Sequence, residues 1–170
     1  YNIPMRKANL SDLKNVNKIV DDAKIALKND GIDQWQNGSP DIMLLGRQIS
    51  SDNAFVYDND DKILAYAYLS EDYEPTYAAV MNIVKGVNAY TIHTFCVDSN
   101  EKGKGIASKF FDQIISYAKE NNKDSLRIDT HEDNFKMRGL ISKMGFEELG
   151  QIYIKDAGVT KPRIAYELIL

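Results

Sequence analysis

The feature that most constrains this chain lies near its centre, where an apolar run leads through a glycine-containing turn into a helical pattern. The run is Ala89–Asp98 ("AYTIHTFCVD"), and the turn contains Gly103 and Gly105. Apolar side chains then recur at spacings of three and four from Ile106 to Ala118. This order predicts a strand, a loop and a helix. Glycines at the start of a helix let backbone N–H groups approach a ligand closely, and the usual ligand there is a phosphate.

The rest of the chain predicts the order β-α-α-β-β-β-α-β-α-β-β. Strands are expected at Ile3–Ala8, twice within Ala54–Ser70, at Ser125–Thr130, and in "EELGQIYI" and "RIAYELIL" around the turn Asp156–Gly158. Helices are expected from an N-cap at Ser11 to Asn29, from Pro40 as first helical residue, near Ala78–Val84, and from Asn134 to Met144. Antiparallel strands precede a β-α-β-α segment, so we expect an α/β fold, a mixed sheet with helices on its faces, in one domain of residues 1–170.

Composition limits the partners and the compartment. The 21 basic and 25 acidic residues give a formal net charge of −4, and the lysines are scattered, so no nucleic-acid partner is expected. The single cysteine, Cys96, cannot form an internal disulfide, which favours a reducing, cytoplasmic location. No apolar run is long enough to span a membrane. We expect no metal site, and a homodimer remains open.

Four interpretations of the glycine turn compete. A Walker A loop is excluded, because no register supplies its spacing. A dinucleotide fingerprint would use Gly103 and Gly105, with Asp129 ending the next strand, but Ser108 occupies the third glycine position. A glycine turn with solvated lysines is the plain alternative. The fourth interpretation is the pyrophosphate loop of an acetyl-coenzyme A enzyme.

Two blocks of sequence resemble the GNAT superfamily of N-acetyltransferases. Lys102–Ala107 is similar to the family's glycine loop, Gln/Arg-x-x-Gly-x-Gly/Ala, with Lys102 in place of Gln or Arg. Leu126–Ile154 resembles the family's strand-helix-strand segment, and the order of elements matches over nearly the whole chain. The stretches "DQWQNGSPD" and "PRIAYELIL" are similar to a bacterial branch of the superfamily.

The resemblance implies that acetyl-CoA is bound and coenzyme A released. The loop residues expected to hold the diphosphate are Lys102, Gly103, Lys104, Gly105, Ile106, Ala107 and Ser108. In this fold the two central strands splay apart, and the pantetheine arm lies along the open backbone edge, here Phe95, Cys96 and Val97. A backbone N–H on that edge would hold the acetyl carbonyl. Asn134 would contact the cofactor arm, and it can also cap its helix.

The chemistry implied is direct transfer of acetyl to a primary amine in a ternary complex, which requires the amine to lose a proton. Many relatives have a carboxylate at the position of Thr91. His93 is therefore the candidate base, and we expect it to share a strand face with Thr91 and Phe95. A hydrogen-bonded structural histidine is the alternative role. Cys96 is not interpreted as a nucleophile, because direct transfer needs none.

The thiolate's proton donor is missing from its usual place. Many relatives carry a tyrosine where this chain has Ile141. Tyr153, in the final hairpin, is the best replacement. Loss of this acid keeps a second function open, that of a non-catalytic acyl-CoA-binding or sensing module.

The acceptor site, for a small amine or a peptide, is expected to come from the loop 31–40, the segment 71–88 and the final hairpin. Gln34 and Trp35 are its candidates from the loop, although Trp35 can equally seal the joint between the first two helices. Asp129 and His131 end a strand near the same gap. They would orient the acceptor or cap the following helix.

Overall fold

The computed structural model describes residues 4–60 and 62–170, and its strands form one seven-stranded mixed sheet with helices on both faces. The strands are β1 (Met5–Lys7), β2 (Ala54–Asp58), β3 (Ile63–Ser70), β4 (Ala89–Val97), β5 (Ser125–Thr130), β6 (Glu147–Asp156) and β7 (Val159–Ile169). The α-helices are α1 (Leu13–Asn29), α2 (Ile42–Ser50), α3 (Ile106–Glu120) and α4 (Phe135–Lys143). The predicted order of elements and the mixed sheet are confirmed.

The sheet order is β1-β2-β3-β4-β5-β7-β6, and only the central pair, β4 and β5, is parallel. On one face α3 buries Phe110, Phe111 and Ile114 against the sheet. On the other face α1 and α2 bury a second core that includes Val16 and Leu45. No helix within residues 4–60 and 62–170 is long and apolar enough to cross a bilayer.

Two helical segments begin at residues other than those predicted. Asn9, not Ser11, is the first cap: its side chain accepts from the Ser11 N–H, and it begins a 3-10 turn at Leu10–Asp12 that continues into α1. Asn9 lies two residues before Ser11, and its short polar side chain can satisfy the free N–H groups of the first turn as well as a serine can.

The second helix is capped by Asp41, whose carboxylate accepts from the Leu44 N–H at 2.9 Å, so Pro40 precedes the helix. The segment after β3 forms a 3-10 helix at Pro75–Val80 instead of a helix near Ala78–Val84. The first strand is shorter than expected, and Ile3 lies outside the described residues.

The two parallel strands separate soon after they meet. β4 pairs with β5 only from Ala89 to Thr91, opposite Ser125 to Arg127. From Ile92 onward the β4 backbone has β3 on one side and an open gap on the other. The expected splay is therefore confirmed.

The paired end of this splay is held by a buried polar network. The Arg127 guanidinium donates to the Gly86 carbonyl at 2.7 Å. The Glu167 carboxylate accepts from the backbone N–H groups of Lys85 and Gly86 and from the Ser125 hydroxyl. One end of the gap is thus fixed while the other end is open.

A β-bulge in β4 changes which side chains enter the gap. Tyr68 pairs with His93, whereas Tyr66 pairs with Cys96, so β4 has one extra residue there. Thr94 takes up the irregularity with φ +56°. As a result His93 lies on the α1–α2 face, and Phe95 packs on α3 on the opposite face. The expectation that His93 and Phe95 share a face is wrong, because a bulge shifts the alternation of side chains.

Candidate active site

A cleft of about 1010 Å³ opens where β4 and β5 separate. Its walls are the β4 edge from Ile92 to Val97, the loop and first turn of α3, the end of β5 and the start of α4. It is completed by the α1–α2 loop, by Glu74 and Thr76 at the start of the 3-10 helix after β3, by residues 154–156 at the end of β6 and by Arg163 on β7. The cleft therefore joins the glycine loop to the three segments expected to form the acceptor site.

The glycine loop has the geometry of an anion site. Gly103 and Gly105 adopt φ +80° and +76°, and a Cβ at either would meet no atom within 4 Å. Gly105 is the N-cap of α3 and has no side chain that could accept from the first N–H groups of the helix, those of Ile106–Ser108. Those groups and the positive end of the helix dipole are available to a phosphate.

The two loop lysines differ in position. Lys102 lines the cleft together with Gly103, Gly105, Ile106, Ala107 and Ser108. Lys104 is exposed and absent from the lining, and its ammonium binds the Glu101 carboxylate at 2.6 Å. Lys104 therefore neutralises Glu101 and does not face the cleft.

At Phe95 and Cys96 on the β4 edge the side chains pack in the two cores, which leaves the backbone to contact a ligand. The Phe95 ring stacks on Phe111 with centroids 4.4 Å apart, within the α3 core. Cys96 is buried on the other face, and burial raises the pKa of its thiol to about 12. A thiol with that pKa is protonated at neutral pH, which agrees with the expectation that Cys96 is not a nucleophile.

His93 is paired with a carboxylate, Glu74, that no sequence motif indicated. Its Nε2 lies 3.4 Å from Glu74 Oε2, and its ring stacks on Tyr68. The hydrogen bond from His93 lowers the pKa of the Glu74 carboxyl below its usual value. Both side chains are half-buried and line the cleft. Only the placement of Glu74 in the segment 71–88, expected to form the acceptor site, pointed to it.

Asp129 lies across the gap from His93. Thr91 pairs with Arg127, so the residues two positions further along, His93 and Asp129, are on the same face at the same level. The Asp129 carboxylate accepts from the Tyr77 hydroxyl at 3.1 Å, and burial raises its pKa above the usual value. The acceptor half of the cleft therefore contains two carboxylates beside an imidazole.

Gln34 joins the acceptor loop to the end of β5. Its amide oxygen accepts from the Thr130 hydroxyl, the His131 N–H and the Asn134 amide at 3.1–3.2 Å. This bonding gives Gln34 a structural role. Trp35 lines the cleft and also packs on the α1–α2 core, so its two expected positions coincide.

Asn134 lines the cleft and caps α4 by accepting from the Met137 N–H at 3.2 Å. His131 does not line the cleft, and its Nδ1 accepts from the Asp133 N–H at 3.0 Å in the turn before α4. Neither interpretation of His131 describes its position, because Asn134 caps α4 and His131 lies in the turn that precedes this cap.

Tyr153 is not brought into the cleft. Its side chain is exposed on β6, and its hydroxyl accepts from Gln151, also at the surface. Ile152 and Ile154, its neighbours in the strand, face the sheet interior instead. Ile141 is completely buried, and no tyrosine occurs among the described cleft-lining residues.

Comparison with solved structures identifies the same fold. A GNAT-family acetyltransferase from Streptococcus agalactiae aligns with a TM-score of 0.86 at 24% identity, over 98% of this chain and 94% of that one. A ribosomal-protein-alanine N-acetyltransferase from Brucella melitensis gives 0.72 at 20% identity, over 98% and 99%. The yncA protein from Salmonella typhimurium, solved with its cofactor acetyl-CoA, gives 0.72 at 15% identity, over 100% and 95%.

No curated protein sequence matches the chain significantly. The model of the Acetyltransferase (GNAT) family matches residues 22–146, which include the cleft-forming strands and the glycine loop. The chain therefore belongs to the GNAT family of acetyltransferases.

Proposed function

We propose that this protein is an acetyl-CoA-dependent N-acetyltransferase that transfers the acetyl group directly to an amine bound in the same cleft. The observation that carries the proposal is the arrangement of the gap between β4 and β5. An anion-binding loop lies at one end of it, and His93, Glu74 and Asp129 lie at the other. The acetyl-CoA in the yncA structure, a protein of the same fold, supports the choice of cofactor.

The residues present fit this cofactor. The uncapped N–H groups of Ile106–Ser108 and the Lys102 ammonium would hold the diphosphate, and the Cβ-free surface of Gly103 and Gly105 allows it to approach. The unpaired β4 edge would bond the pantetheine arm as an added strand, with Asn134 beside it. A backbone N–H on this edge would stabilise the oxyanion that develops on the acetyl carbonyl.

His93 is the proposed general base. A lysine-like amine at neutral pH is about three pKa units from its neutral form, which costs roughly 4 kcal/mol. In the tautomer that donates Nε2–H to Glu74, Nδ1 of His93 is free to accept the amine's proton. Glu74, the carboxyl whose pKa is lowered, then stabilises the imidazolium.

The thioester supplies an activated acetyl group and a thiolate leaving group. Because no cleft-lining tyrosine occurs in the described ranges, we propose that the thiolate leaves without a dedicated phenolic acid. The proton taken up by His93 is available to neutralise it, since the base and the leaving group both adjoin the β4 edge.

The test is release of free thiol from acetyl-CoA in the presence of a panel of amines, with wild type compared with His93→Gln. We expect turnover with at least one amine and a loss of about 10²-fold or more in kcat for the variant. Coenzyme affinity should be unchanged, because His93 lies in the acceptor half. If acetyl-CoA binds but no amine is acetylated, the proposal is wrong.

That outcome would favour the second function, an acyl-CoA-binding module without catalysis. The absence of a tyrosine from the described cleft lining and the burial of Ile141 are the observations that keep this alternative in view. Both functions predict coenzyme binding, and only turnover distinguishes them.

A further inference from the structure

Arg163, on β7, is a buried cation in the acceptor half of the cleft that has no ionic partner in the described chain. The residue is 3% exposed and lines the cleft. Its Nη1 donates to the carbonyl of its own neighbour, Pro162, at 2.8 Å. No carboxylate oxygen of residues 4–60 and 62–170 lies within 4 Å of its nitrogens. By contrast Lys161, two residues earlier on the same face, binds Asp33 at 2.8 Å.

The sheet register places Arg163 close to the proposed reaction site. Ala165 pairs with Asp129, so Arg163 lies diagonal to Asp129 on the neighbouring strand and on the same face. Ile152 pairs with Arg163, and Asp156, four residues beyond Ile152, shares that face too. Asp156 accepts from the Asn37 amide through Oδ2, while its Oδ1 is buried without a partner.

These neighbouring carboxylates do not pair directly with the guanidinium of Arg163. Burial lowers the pKa of Arg163, while the charges of Asp129, Asp156 and Asp33 act against that shift. An arginine nevertheless remains protonated in proteins. A buried guanidinium is costly unless it is paired directly, and the nearby carboxylates are not in direct contact with it.

We propose that Arg163 binds a carboxylate of the acceptor, so that the acceptor is an amine that also carries a carboxylate, as amino acids do. The inference rests on the proposed N-acetyltransferase function. A guanidinium presents two parallel N–H groups that match the two oxygens of a carboxylate. The amine then lies across the gap toward His93 and the Glu74 carboxylate, where the base and the negative charge are located. The cleft therefore has opposite charges at the positions that a zwitterionic acceptor needs.

The test uses matched pairs of acceptors, each an L-amino acid and its amide, with wild type, Arg163→Gln and Arg163→Lys. For Arg163→Gln we expect KM for the amino acids to rise about 10-fold or more, with KM for the amides and for acetyl-CoA unchanged. Because an amide's amine ionises differently from the acid's, each comparison is between variant and wild type on the same acceptor. Arg163→Lys retains the charge and should recover part of the loss.

The matched control is Lys155→Gln. Lys155 also lines the cleft, but its ammonium is bound to the Thr160 hydroxyl. Removing this charge should leave the preference for amino acids intact. Thermal denaturation of all variants verifies that they are folded.

Two results would overturn the inference. One is a wild type that acetylates amides as readily as amino acids, and the other is an Arg163→Gln variant that loses both equally. In either case N-acetylation of amines still stands. If no amine is acetylated at all, calorimetric titration of the coenzyme A complex with the same amino acids decides. Binding that Arg163→Gln abolishes supports the carboxylate site, and absence of binding to wild type refutes it.

Discussion

Replacement of Gly105 by alanine tests whether the loop needs a glycine for its own backbone conformation or for the close approach of a ligand. Gly105 has φ +76°, where an L-residue carries about 1–2 kcal/mol of strain. The new Cβ would meet no protein atom within 4 Å, so no clash adds to that cost. For a chain of this length the strain should lower Tm by roughly 2–4 °C per kcal/mol.

The ligand should be affected far more than the fold. The Cβ would occupy the space through which a phosphate reaches the N–H groups of Ile106–Ser108. Loss of one charge-assisted hydrogen bond costs about 1.5–3 kcal/mol, which corresponds to roughly 10- to 150-fold weaker binding of acetyl-CoA. Isothermal titration calorimetry measures the affinity, and a thermal melt measures the stability.

Gly158→Ala is the matched control. Gly158 has φ +82° at the tip of the β6–β7 hairpin, and a Cβ there also meets nothing within 4 Å. It should lower Tm by a similar amount and leave coenzyme affinity unchanged. If Gly105→Ala bound acetyl-CoA as tightly as wild type, or if both variants lost affinity equally, the assignment of the loop as a diphosphate site would be refuted.

Three further predictions concern stability and catalysis. Asp12 accepts two hydrogen bonds from Arg6, which hold its pKa below the usual value. Asp12→Asn should lower the free energy of unfolding by about 1–2 kcal/mol near neutral pH. Urea titrations measure this difference in unfolding free energy, which should be fully present above the pKa of about 3.9 that an aspartate has in the unfolded chain. The difference should vanish as the pH falls through the lower pKa of folded Asp12, and a difference independent of pH would contradict the prediction. Glu74→Gln should reduce kcat about 10-fold or more without changing coenzyme affinity, since the imidazolium of His93 loses its counter-ion, and an unaltered kcat would exclude Glu74 from the chemistry. Tyr153→Phe should leave kcat unchanged because its hydroxyl is at the surface, and a fall in kcat would restore it as the acid.

Much of the fold could be predicted because its determinants are local. The apolar period of three and four residues identified α3, and the alternating β-rich runs identified β2 to β5. The glycine loop was recognisable because Gly103 and Gly105 lie between an apolar strand and an apolar helix, and both indeed adopt left-handed conformations. These features depend on neighbours in sequence alone.

The acceptor side depended on contacts between distant segments, which local patterns do not encode. The bulge at Thr94 arises from the register with β3, and it moved His93 to the face opposite Phe95. Glu74 meets His93 only because the segment after β3 folds over the gap. No sequence pattern indicated that Arg163 would line the cleft, because its position follows from the pairing of β7 with β5.

Because β4 pairs with β5 over only part of its length, amide hydrogen exchange should differ between the two ends of β4. As far as Thr91 the strand has neighbours on both sides, whereas residues 92–97 are held by β3 alone. Exchange requires only local opening where a strand is held on one side, so amides that face the gap should exchange sooner than those of Ala89–Thr91. A ligand that hydrogen-bonds to this edge would slow exchange in residues 92–97 and leave the paired end unaltered. The position of the ligand along β4 could then be determined residue by residue, with no label on the protein or the ligand.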